Sequence, residues 1–542
     1  MKEDAHLRVL LAIIICKLIY FIGKLIGRGS SLPGQIALKV CPNVLKRIKL
    51  PKIIIAVTGS NGKTSTAEQL AHVLETSGMS VGWNHEGANQ IEGITTLLLR
   101  IATFGGEVQR DALVLECDER YAPMTFAVIR PSTLVVTNLC RDQLTRNGHH
   151  EFIQDCISSA IVAAKERGMS HSWHEYADEL SPCLVLNADD PYIAALAYTD
   201  DADSRAMREV RESYGDKDES SVEESGIRNP EFRVAGRVIW FGLNSQFSTR
   251  STVPPRYDDG AFCPVCKSRM TYDYRIAGHL GSYRCTSCTF NRPKPDIEAK
   301  LDGKGCWEFG AQNLEFGIED VGVLSGEQVG GLGSGQTGGQ NSDQDRDQDR
   351  DQDRDRVSAI RMKMELPSLV KVYNMLTAVA AAKSAGVSAH DAMSALDGYE
   401  LTGGRTVRFS VCGRDGVLLV SKHENSLSYN QSLEWTVGLG KPCTVIILVD
   451  SISRKYYTSE TSWLWDVDFD LLADKSVKNI VLAGRYVNEL MARFAMTQVD
   501  PGKISGLAEY SCLRKFVEQN TDGEVVAITC FSDKAKLIKA FK

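Results

Sequence analysis

A glycine-rich hexapeptide, Gly59-Ser-Asn-Gly-Lys-Thr64, follows an apolar run and precedes a helical stretch. Glycines let the backbone wrap around a phosphate, and the exposed amides and the helix dipole stabilise its negative charge. We expect Lys63 to neutralise the outer phosphates of a nucleotide and Thr64 to ligate Mg²⁺. Only two residues separate the glycines, fewer than in the standard phosphate-binding loop. The strand–turn–helix setting nevertheless favours phosphate binding over a structural turn.

Acidic and amide side chains follow the next two strand candidates, at the point where each strand ends. Glu116 closes the second apolar run, with Asp118 and Glu119 directly behind it, and Asn138 and Asp142 close the third. A Mg²⁺ ion between nucleotide phosphates needs one or two carboxylates besides water. We therefore expect Glu116 to bind Mg²⁺. Asn138 and Asp142 could hold water, the metal or substrate, or could be solvated groups at a strand end.

Two C-x-x-C pairs, Cys263/Cys266 and Cys285/Cys288, are separated by 18 residues. Two such knuckles can close a tetrahedral thiolate site around Zn²⁺, and a site without an open position is structural. A redox pair is the alternative, but two matched pairs in one short segment disfavour it. The remaining cysteines of the fifteen are scattered singly, which indicates a reducing cytoplasm.

Short apolar runs alternate with helical stretches in two parts of the chain, which predicts an α/β protein. The runs of the first part end in polar residues and lie at 53–59, 112–117, 133–138 and 183–191. They predict a mostly parallel, doubly wound sheet, in which chemistry collects at the carboxyl ends of the strands. The runs of the second part lie at 417–422, 444–450, 479–484 and 524–529, and they predict a separate sheet.

At 542 residues the chain is too long for one hydrophobic core. We predict an apolar N-terminal helical segment (1–45), a central phosphate-loop domain (46–407) and a C-terminal α/β domain (408–542). The central domain would carry the cysteine ribbon at about 258–295 and a low-complexity tract at about 325–356. That tract has almost no apolar residues and should be a disordered linker, although its alternating charges could also form a single charged helix.

Residues 7–26 are strongly apolar, but Lys17 and Lys24 interrupt them. These lysines would be costly inside a bilayer, and no small-residue cleavage site follows, which disfavours a spanning helix and a secretory signal. An amphipathic helix on the membrane surface competes with an ordinary packed first helix. The net charge of −7 disfavours a nonspecific nucleic-acid binder.

Several motifs resemble, in their order, those of the MurT branch of the Mur ligase family. The phosphate loop TGSNGKTS (58–65) is similar to that of Mur ligases and folylpolyglutamate synthetases. The narrower resemblance is carried by LECDE (115–119), TNLCRDQLTR (137–146), LNADDP (186–191), the cysteine ribbon, VYNMLTAVAAA (372–382), TGGR (402–405), SLSYNQSLE (426–434) and TSWLWDVDFD (461–470). The ribbon and the last segment are the most specific of these.

The resemblance implies a Mur ligase-type central domain with an inserted zinc ribbon, followed by a MurT-type C-terminal domain. It also implies a defined reaction of peptidoglycan synthesis. ATP phosphorylates the α-carboxyl of D-glutamate in the stem peptide of lipid II, and ammonia attacks the acyl phosphate to give D-isoglutamine. In the family a glutaminase subunit, GatD, supplies the ammonia, so that glutamine is the amido donor. No nucleophilic cysteine motif stands out in this sequence, which agrees with the release of ammonia on a separate subunit.

By the same resemblance, the ATP site comprises Gly59, Asn61, Gly62, Lys63, Thr64, Ser65, Asn138, Asn374 and Arg405. Asn374 would contact the adenine or its pocket, and Arg405 the phosphates. Lys63 and Glu116 would act in catalysis. We expect a cytoplasmic enzyme, and a surface helix at residues 7–26, if it is not packed on the protein body, would associate the enzyme with the inner face of the plasma membrane.

In the family an acidic residue of the C-terminal domain assists the Cys–His pair of the partner. Asp466 and Asp468 are the candidates here, with Glu460 as a third, although these acids could equally flank a packed turn. The sequence departs from the family at Thr145, where an Asp is usual, and at 423–431, where a segment with Pro and Gly is usual. Two rival functions stay open: a conventional ligase that adds an amino acid, and a noncatalytic nucleotide-binding scaffold with a zinc module. The ribbon and the C-terminal motifs disfavour the conventional ligase.

Overall fold

A computed structural model describes most of the chain. The described residues are 2–25, 30–85, 88–142, 149–165, 182–198, 237–244, 258–301, 307–311, 358–362, 369–401, 406–422, 424–451 and 461–541. The predictions for the tract 325–356, for Arg405 and for Glu460 lie outside these residues, as does the departure at Thr145.

The strands of the first part of the chain form a nine-stranded sheet and a separate hairpin. They are β1 (Ile53–Thr58), β2 (Val81–Trp83), β3 (Ala112–Glu116), β4 (Thr133–Val136), β5 (Cys183–Asn187), β6 (Val238–Leu243), β7 (Met270–Ala277), β8 (Leu280–Cys285), β9 (Ile297–Leu301), β10 (Trp307–Ala311) and β11 (Ser358–Met362). The sheet order is β2-β3-β1-β4-β5-β6-β9-β10-β11, and β7 pairs with β8. From β2 at one edge to β9, neighbouring strands of this sheet are parallel, whereas β10 is antiparallel to both of its neighbours, β9 and β11.

Helices cover both faces of this sheet. They are α1 (Lys2–Leu25), α2 (Leu32–Val40), α3 (Lys63–Thr76), α4 (Ile91–Ile101), α5 (Ala122–Phe126), α6 (His150–Lys165), α7 (Pro191–Ala194), α8 (Leu369–Ser384) and α9 (Ala389–Leu396). Because side chains alternate along a strand, Ile55 and Val57 of β1 pack with α3 and α8, whereas Ile54 and Ala56 pack with α1, α2 and α4. Burial on both faces explains why the strand runs are continuously apolar.

The second part of the chain forms a six-stranded sheet. Its elements are β12 (Thr406–Val411), β13 (Arg414–Ser421), α10 (Ser426–Gly438), β14 (Cys443–Leu448), β15 (Val477–Ala483), α11 (Val487–Phe494), β16 (Ile504–Leu507), α12 (Leu513–Asn520), β17 (Glu524–Cys530) and α13 (Lys534–Phe541). The order is β12-β13-β17-β14-β15-β16, with only β12 antiparallel to its neighbour. Short 3₁₀ helices span Val44–Lys46, Ala195–Ala197, Ser462–Asp466, Phe469–Ala473, Pro501–Lys503 and Tyr510–Cys512. The predicted α/β class is confirmed, and each predicted apolar run lies on a strand.

The apolar N-terminal stretch forms α1, which packs on α2 and α4 through one face. Val9, Ala12, Ile13 and Cys16 of this face are buried against α2 and α4. Within the described residues, His6–Leu25 is the one helix long and apolar enough to cross a bilayer, and only 28% of it is buried. The buried face agrees with the prediction of a packed first helix, whereas a membrane-surface role for the exposed face stays a prediction.

Candidate active site

The phosphate loop connects β1 to α3 and requires glycine at two positions. Gly59 has φ +122°, and a Cβ atom there would lie 2.4 Å from Thr137 Oγ1. Gly62 has φ +83°, and a Cβ atom there would lie 2.1 Å from Asn374 Oδ1. Side chains are both strained and sterically excluded at these positions. The same distance shows that Asn374, on α8, lies directly against the loop.

Lys63 begins α3 and is buried at the base of the loop. Its Nζ donates to the carbonyl of Gly59 and to Glu119 Oε2, which is 3.0 Å away. Burial alone would lower the pKa of Lys63, but the carboxylates of Glu119, Glu116 and Asp142 outweigh it, and the pKa lies above its ordinary value. Lys63 is therefore a permanently charged ammonium group held at the carboxyl end of the sheet.

The end of β4 fixes the conformation of the phosphate loop. Asn138 Oδ1 accepts from the backbone N–H of Asn61 at 3.1 Å, and Asn138 Nδ2 donates to the carbonyl of Asn61 at 3.0 Å. Thr137 Oγ1 donates to the same carbonyl at 2.6 Å. The Asn138 amide thus both accepts from and donates to the backbone of Asn61. Asn138, predicted as a nucleotide-binding residue, thus lies in the site and shapes the loop.

Glu116 ends β3 beside Lys63 and has an oxygen available to a cation. Its Oε1 accepts from Asn89 Nδ2 at 3.2 Å, while its Oε2 is buried without a hydrogen-bond partner among the described residues. Asn84 holds the strand end through the backbone N–H and carbonyl of Glu116, at 2.8 and 2.9 Å. An unpartnered buried carboxylate oxygen is costly unless a ligand satisfies it. Thr64, the other predicted magnesium ligand, is exposed at the start of α3, so both residues could hold Mg²⁺.

The second sheet docks on the phosphate loop through Lys422 and Asn425. Lys422 Nζ contacts Asp142 Oδ2 and lies 3.3 Å from the carbonyl of Ser60. Asn425, fully buried, donates from Nδ2 to Asn61 Oδ1 at 2.7 Å and to Asp142 Oδ1 at 2.9 Å. Asn425 also caps α10 by accepting from the backbone N–H of Ser428 at 2.8 Å. The start of α10 is therefore fastened to the phosphate loop.

A cleft lies between the phosphate loop and the second sheet, with an empty volume of about 770 Å³ including its open mouth. Asn61, Gly62, Ser65, Val370, Asn374, Thr406, Leu419, Val420, Leu427, Ser428, Gln431, Ser432 and Trp435 line it. The cleft combines phosphate-loop residues, the amide of Asn374, apolar side chains and one indole ring. This lining suits a molecule with a phosphate end and a flat, partly apolar end.

The four ribbon cysteines form one cluster whose Sγ atoms all lie within 4.8 Å of one another. The Sγ atoms of Cys263 and Cys288 are 3.8 Å apart, and those of Cys266 and Cys285 are 3.4 Å apart. These distances exceed a disulfide bond but fit the roughly 3.8 Å edge of a tetrahedron with metal–sulfur bonds of about 2.3 Å. The donor set therefore fits a closed Zn²⁺ site.

The ribbon supports the turn after β5. Asp189 is fully buried and accepts from Arg292 Nε at 2.6 Å and from the Tyr373 hydroxyl at 2.7 Å. Asp190 caps α7 and accepts from the backbone N–H of Leu139 at 2.8 Å, next to Asn138. These bonds link the ribbon, α8 and the loop after β4 into one network.

Asp466 and Asp468, the predicted partner-assisting acids, lie at the end of a 3₁₀ helix on the second sheet. The Asp466 side chain is 8% exposed and lies 3.7 Å from Arg141 Nη1. Arg141 also makes a bidentate pair with Asp259 of the ribbon, at 2.7 Å for both bonds. Asp466 is thus engaged within the chain. Asp468 is partly exposed, and its backbone N–H donates to Asn430 Oδ1 at 2.8 Å.

The structure brings most of the predicted residues to one place. Glu116, Asn138 and Asn374 lie around the phosphate loop, residues 59–65. Asp466 instead pairs with Arg141, which also binds Asp259 of the ribbon. Sequence reasoning missed Lys422 and Asn425. Both follow the end of β13, and that position after a parallel strand was the available signal.

Comparison with known proteins identifies relatives for nearly the whole chain. Residues 57–250 match the Mur ligase middle domain, and residues 423–532 match the MurT ligase C-terminal domain. The chain is 23% identical to the lipid II isoglutaminyl synthase (glutamine-hydrolyzing) subunit MurT of Staphylococcus aureus, over 97% of this chain and 96% of that one. The MurT subunit of Streptococcus pneumoniae is 24% identical over 95% and 92%. A UDP-N-acetylmuramoyl-tripeptide–D-alanyl-D-alanine ligase of Mycobacterium bovis is 30% identical, but over 38% and 37% only.

Solved structures of low identity share the fold. A pseudomurein peptide ligase type C from Methanothermus fervidus superposes with a TM-score of 0.55 at 17% identity, over 92% of this chain and 81% of that one. MurF from Acinetobacter baumannii superposes with a TM-score of 0.52 at 13% identity, over 94% and 80%. The chain therefore has the α/β fold of the Mur ligases, with one segment that matches their middle domain and another that matches the C-terminal domain of MurT.

Proposed function

We propose that the chain is the synthetase subunit of a lipid II isoglutaminyl synthase, an ATP-dependent ligase of peptidoglycan synthesis. It amidates the α-carboxyl of D-glutamate in the stem peptide of lipid II, with ammonia from a GatD-type glutaminase subunit. One observation carries the proposal. Asn425, in the segment that matches the MurT C-terminal domain, bonds directly to Asn61 of a phosphate loop in the segment that matches the Mur ligase middle domain.

The chemistry requires activation of a carboxylate, which is a poor electrophile. A carboxylate oxygen attacks the γ-phosphorus of ATP, and the bond to ADP breaks. The nitrogen of ammonia then attacks the carbonyl carbon, phosphate leaves, and the nitrogen gives up a proton. Enzymes accelerate phosphoryl transfer chiefly by positioning the reactants and by stabilising charge.

The residues of the loop supply that positioning and charge. Backbone amides of the loop bind the phosphates. The bound phosphates replace the Gly59 carbonyl as acceptors of the Lys63 ammonium group, and Lys63 then neutralises their charge. Lys422 adds a second cation from the other sheet, on the same side of the loop as Asp142. Glu116 and Thr64 would hold Mg²⁺, which would supply further positive charge at the phosphates. Asn374 and the apolar cleft receive the base.

The remaining elements take supporting roles. The four cysteines hold a structural Zn²⁺ ion, because four thiolates leave no position for water. The segment 461–470 contacts the glutaminase, with Asp468 as the acid that reaches the partner, since Asp466 pairs with Arg141. The complex works in the cytoplasm at the inner face of the plasma membrane, where lipid II is accessible.

The experiment is an amidation assay with the purified chain, its glutaminase partner, lipid II, ATP and glutamine. Mass spectrometry should detect the exchange of OH for NH₂ on lipid II. Lys63→Ala should abolish this exchange, and Lys49→Ala, which alters an exposed lysine, should retain it. Persistence of amidation in Lys63→Ala would refute the assignment. Incorporation of an amino acid instead of ammonia would identify a conventional ligase, and ATP binding without turnover would identify a scaffold.

A further inference from the structure

The outer side of α1 carries a continuous apolar stripe. Seven large hydrophobic side chains between Leu7 and Leu25, among them Leu18 and Phe21, are 43% to 74% exposed. They recur every three or four residues, so that about 100° of rotation per residue gathers them within an arc of roughly 100°. The stripe is about 27 Å long, at about 1.5 Å per residue. An exposed apolar surface of this extent marks an interaction site.

The opposite side of α1 is fixed to the protein body. Cys16 is fully buried in the core below the sheet, with Ala12 and Ile13. The Lys17 ammonium group donates to the carbonyl of Arg100 on α4 at 2.7 Å, and Arg100 contacts the Tyr20 hydroxyl at 2.5 Å. A helix that crossed a bilayer would have to give up all these contacts. The stripe is therefore presented by a helix that lies along the protein surface.

After Glu3 and Asp4 at the start of α1, the charge along the stripe and the segment that follows it is of one sign. Residues 5–67 contain no Asp or Glu, whereas residues 5–52 contain nine Lys and Arg, in a chain whose net charge is −7. On a helical projection Lys17 and Lys24 lie on one flank of the stripe and Arg8 on the other. An apolar stripe between cationic flanks matches the acyl boundary and the anionic headgroups of a bilayer. A protein partner would not require the absence of acids over so long a segment.

The stripe belongs to the same layer of the molecule as the candidate magnesium site. Helix α1 packs on α4, and the segment before α4 supplies Asn84 and Asn89, which hold Glu116. A small cleft between these elements is lined by Tyr20, Trp83 and Asn84, among others. A bilayer bound to α1 would therefore lie on the same side of the sheet as Asn84 and Asn89, the residues that hold Glu116 of the candidate magnesium site.

We propose that the outer face of α1 binds the surface of an anionic lipid bilayer. The helix lies parallel to the membrane plane, with its apolar stripe at the boundary between headgroups and acyl chains and its cations at the headgroups. This inference rests on the proposed function only in that a membrane-borne substrate gives the contact its purpose. The binding itself requires neither ATP nor substrate.

The test is sedimentation of the full-length chain with vesicles made of equal amounts of phosphatidylglycerol and phosphatidylcholine. The chain should sediment with them, and pure phosphatidylcholine should bind it more weakly. Leu18→Ser and Phe21→Ser should each weaken binding roughly tenfold, the effect of removing a half-exposed apolar side chain. Lys24→Gln should weaken it about fivefold on anionic vesicles only. The matched control is Phe531→Ser on the second sheet, because Phe531 and Phe21 are both 65% exposed.

Several outcomes would overturn the inference. Wild-type chain that stays in the supernatant, or a Phe531→Ser effect as large as that of Phe21→Ser, would remove the membrane face. Loss of a dimer in the stripe variants, without vesicle binding by wild type, would assign the stripe to a second copy. Protection of the N-terminus by sealed vesicles would show a spanning helix. Thermal melts of each variant verify folding, and vesicle binding without amidation would refute the proposed function while sustaining this inference.

Discussion

The pair of Lys422 and Asp142 should stabilise the docking of the second sheet on the phosphate loop by a measurable amount. The Asp142 side chain is 1% exposed, and its oxygens accept from Lys422 and Asn425. Lys422→Met would leave this buried carboxylate with one hydrogen bond in place of two. Breaking a buried pair costs about 3–5 kcal/mol, and the 27% exposure of Lys422 lowers our expectation to about 2–3 kcal/mol. Asp142→Asn removes the charge, so the double variant should recover part of the loss.

The assay is a double-mutant cycle on the free energy of unfolding, measured by urea denaturation of the wild type, both single variants and the double variant. We expect a coupling energy of about 2 kcal/mol. The control cycle uses Lys49 and Glu107, a pair at 2.8 Å with side chains 61% and 44% exposed, which should couple by less than about 1 kcal/mol. Equal coupling in the two cycles would refute the view that the seam between the sheets is held by a buried ion pair.

Three further predictions concern the loop, a buried histidine and the ribbon. Gly62→Ala should abolish ATP binding measured by calorimetry, because its Cβ atom would collide with Asn374, whereas Gly398→Ala, at φ +72° with no atom within 4 Å, should retain it. Burial lowers the pKa of His150 from 6.5 to about 3, so the unfolded chain binds a proton at a higher pH than the folded chain does. Stability should therefore fall as the pH drops from 6.5 toward 3, and His150→Phe should remove about one proton from the slope of the unfolding free energy against pH. Elemental analysis should find one zinc ion per chain, lost in Cys285→Ser and retained in Cys512→Ser, whose cysteine is exposed and outside the cluster.

Local sequence predicted the phosphate loop because its conformation is determined within a few residues. An apolar run buried on both faces, two glycines at positive φ and a helix beginning at Lys63 are all encoded between residues 53 and 76. Because the carboxyl ends of parallel strands meet at one edge of a sheet, the sequence also predicted that Glu116 and Asn138 lie at the same edge. The cysteine spacing likewise predicted a cluster whose geometry depends on two short knuckles.

Contacts between distant segments could not be predicted in this way. Lys422 and Asp142 are 280 residues apart, and nothing near either residue specifies how the second sheet docks. The pairing of Asp466 with Arg141 could not be predicted for the same reason.

Strands β6 and β9 to β11 were missed although they are as long as β3 to β5. In β9, β10 and β11 a charged residue, Glu298, Glu308 or Arg361, interrupts the apolar run. For α1 the sequence predicted two competing roles, a packed helix and a membrane-surface helix. The helix is apolar on nearly all sides, so its sequence does not show which side packs against the rest of the protein.

The central claim is that this chain phosphorylates a carboxylate before ammonia attacks it. The most direct test uses lipid II whose D-glutamate α-carboxylate carries a heavy oxygen isotope, together with the chain, its glutaminase partner, ATP and glutamine. One labelled oxygen should move from the carboxylate to inorganic phosphate for each amide formed, and Lys63→Ala should stop the transfer. Amide formation with unlabelled phosphate would contradict the account, because the acyl phosphate would then not lie on the path.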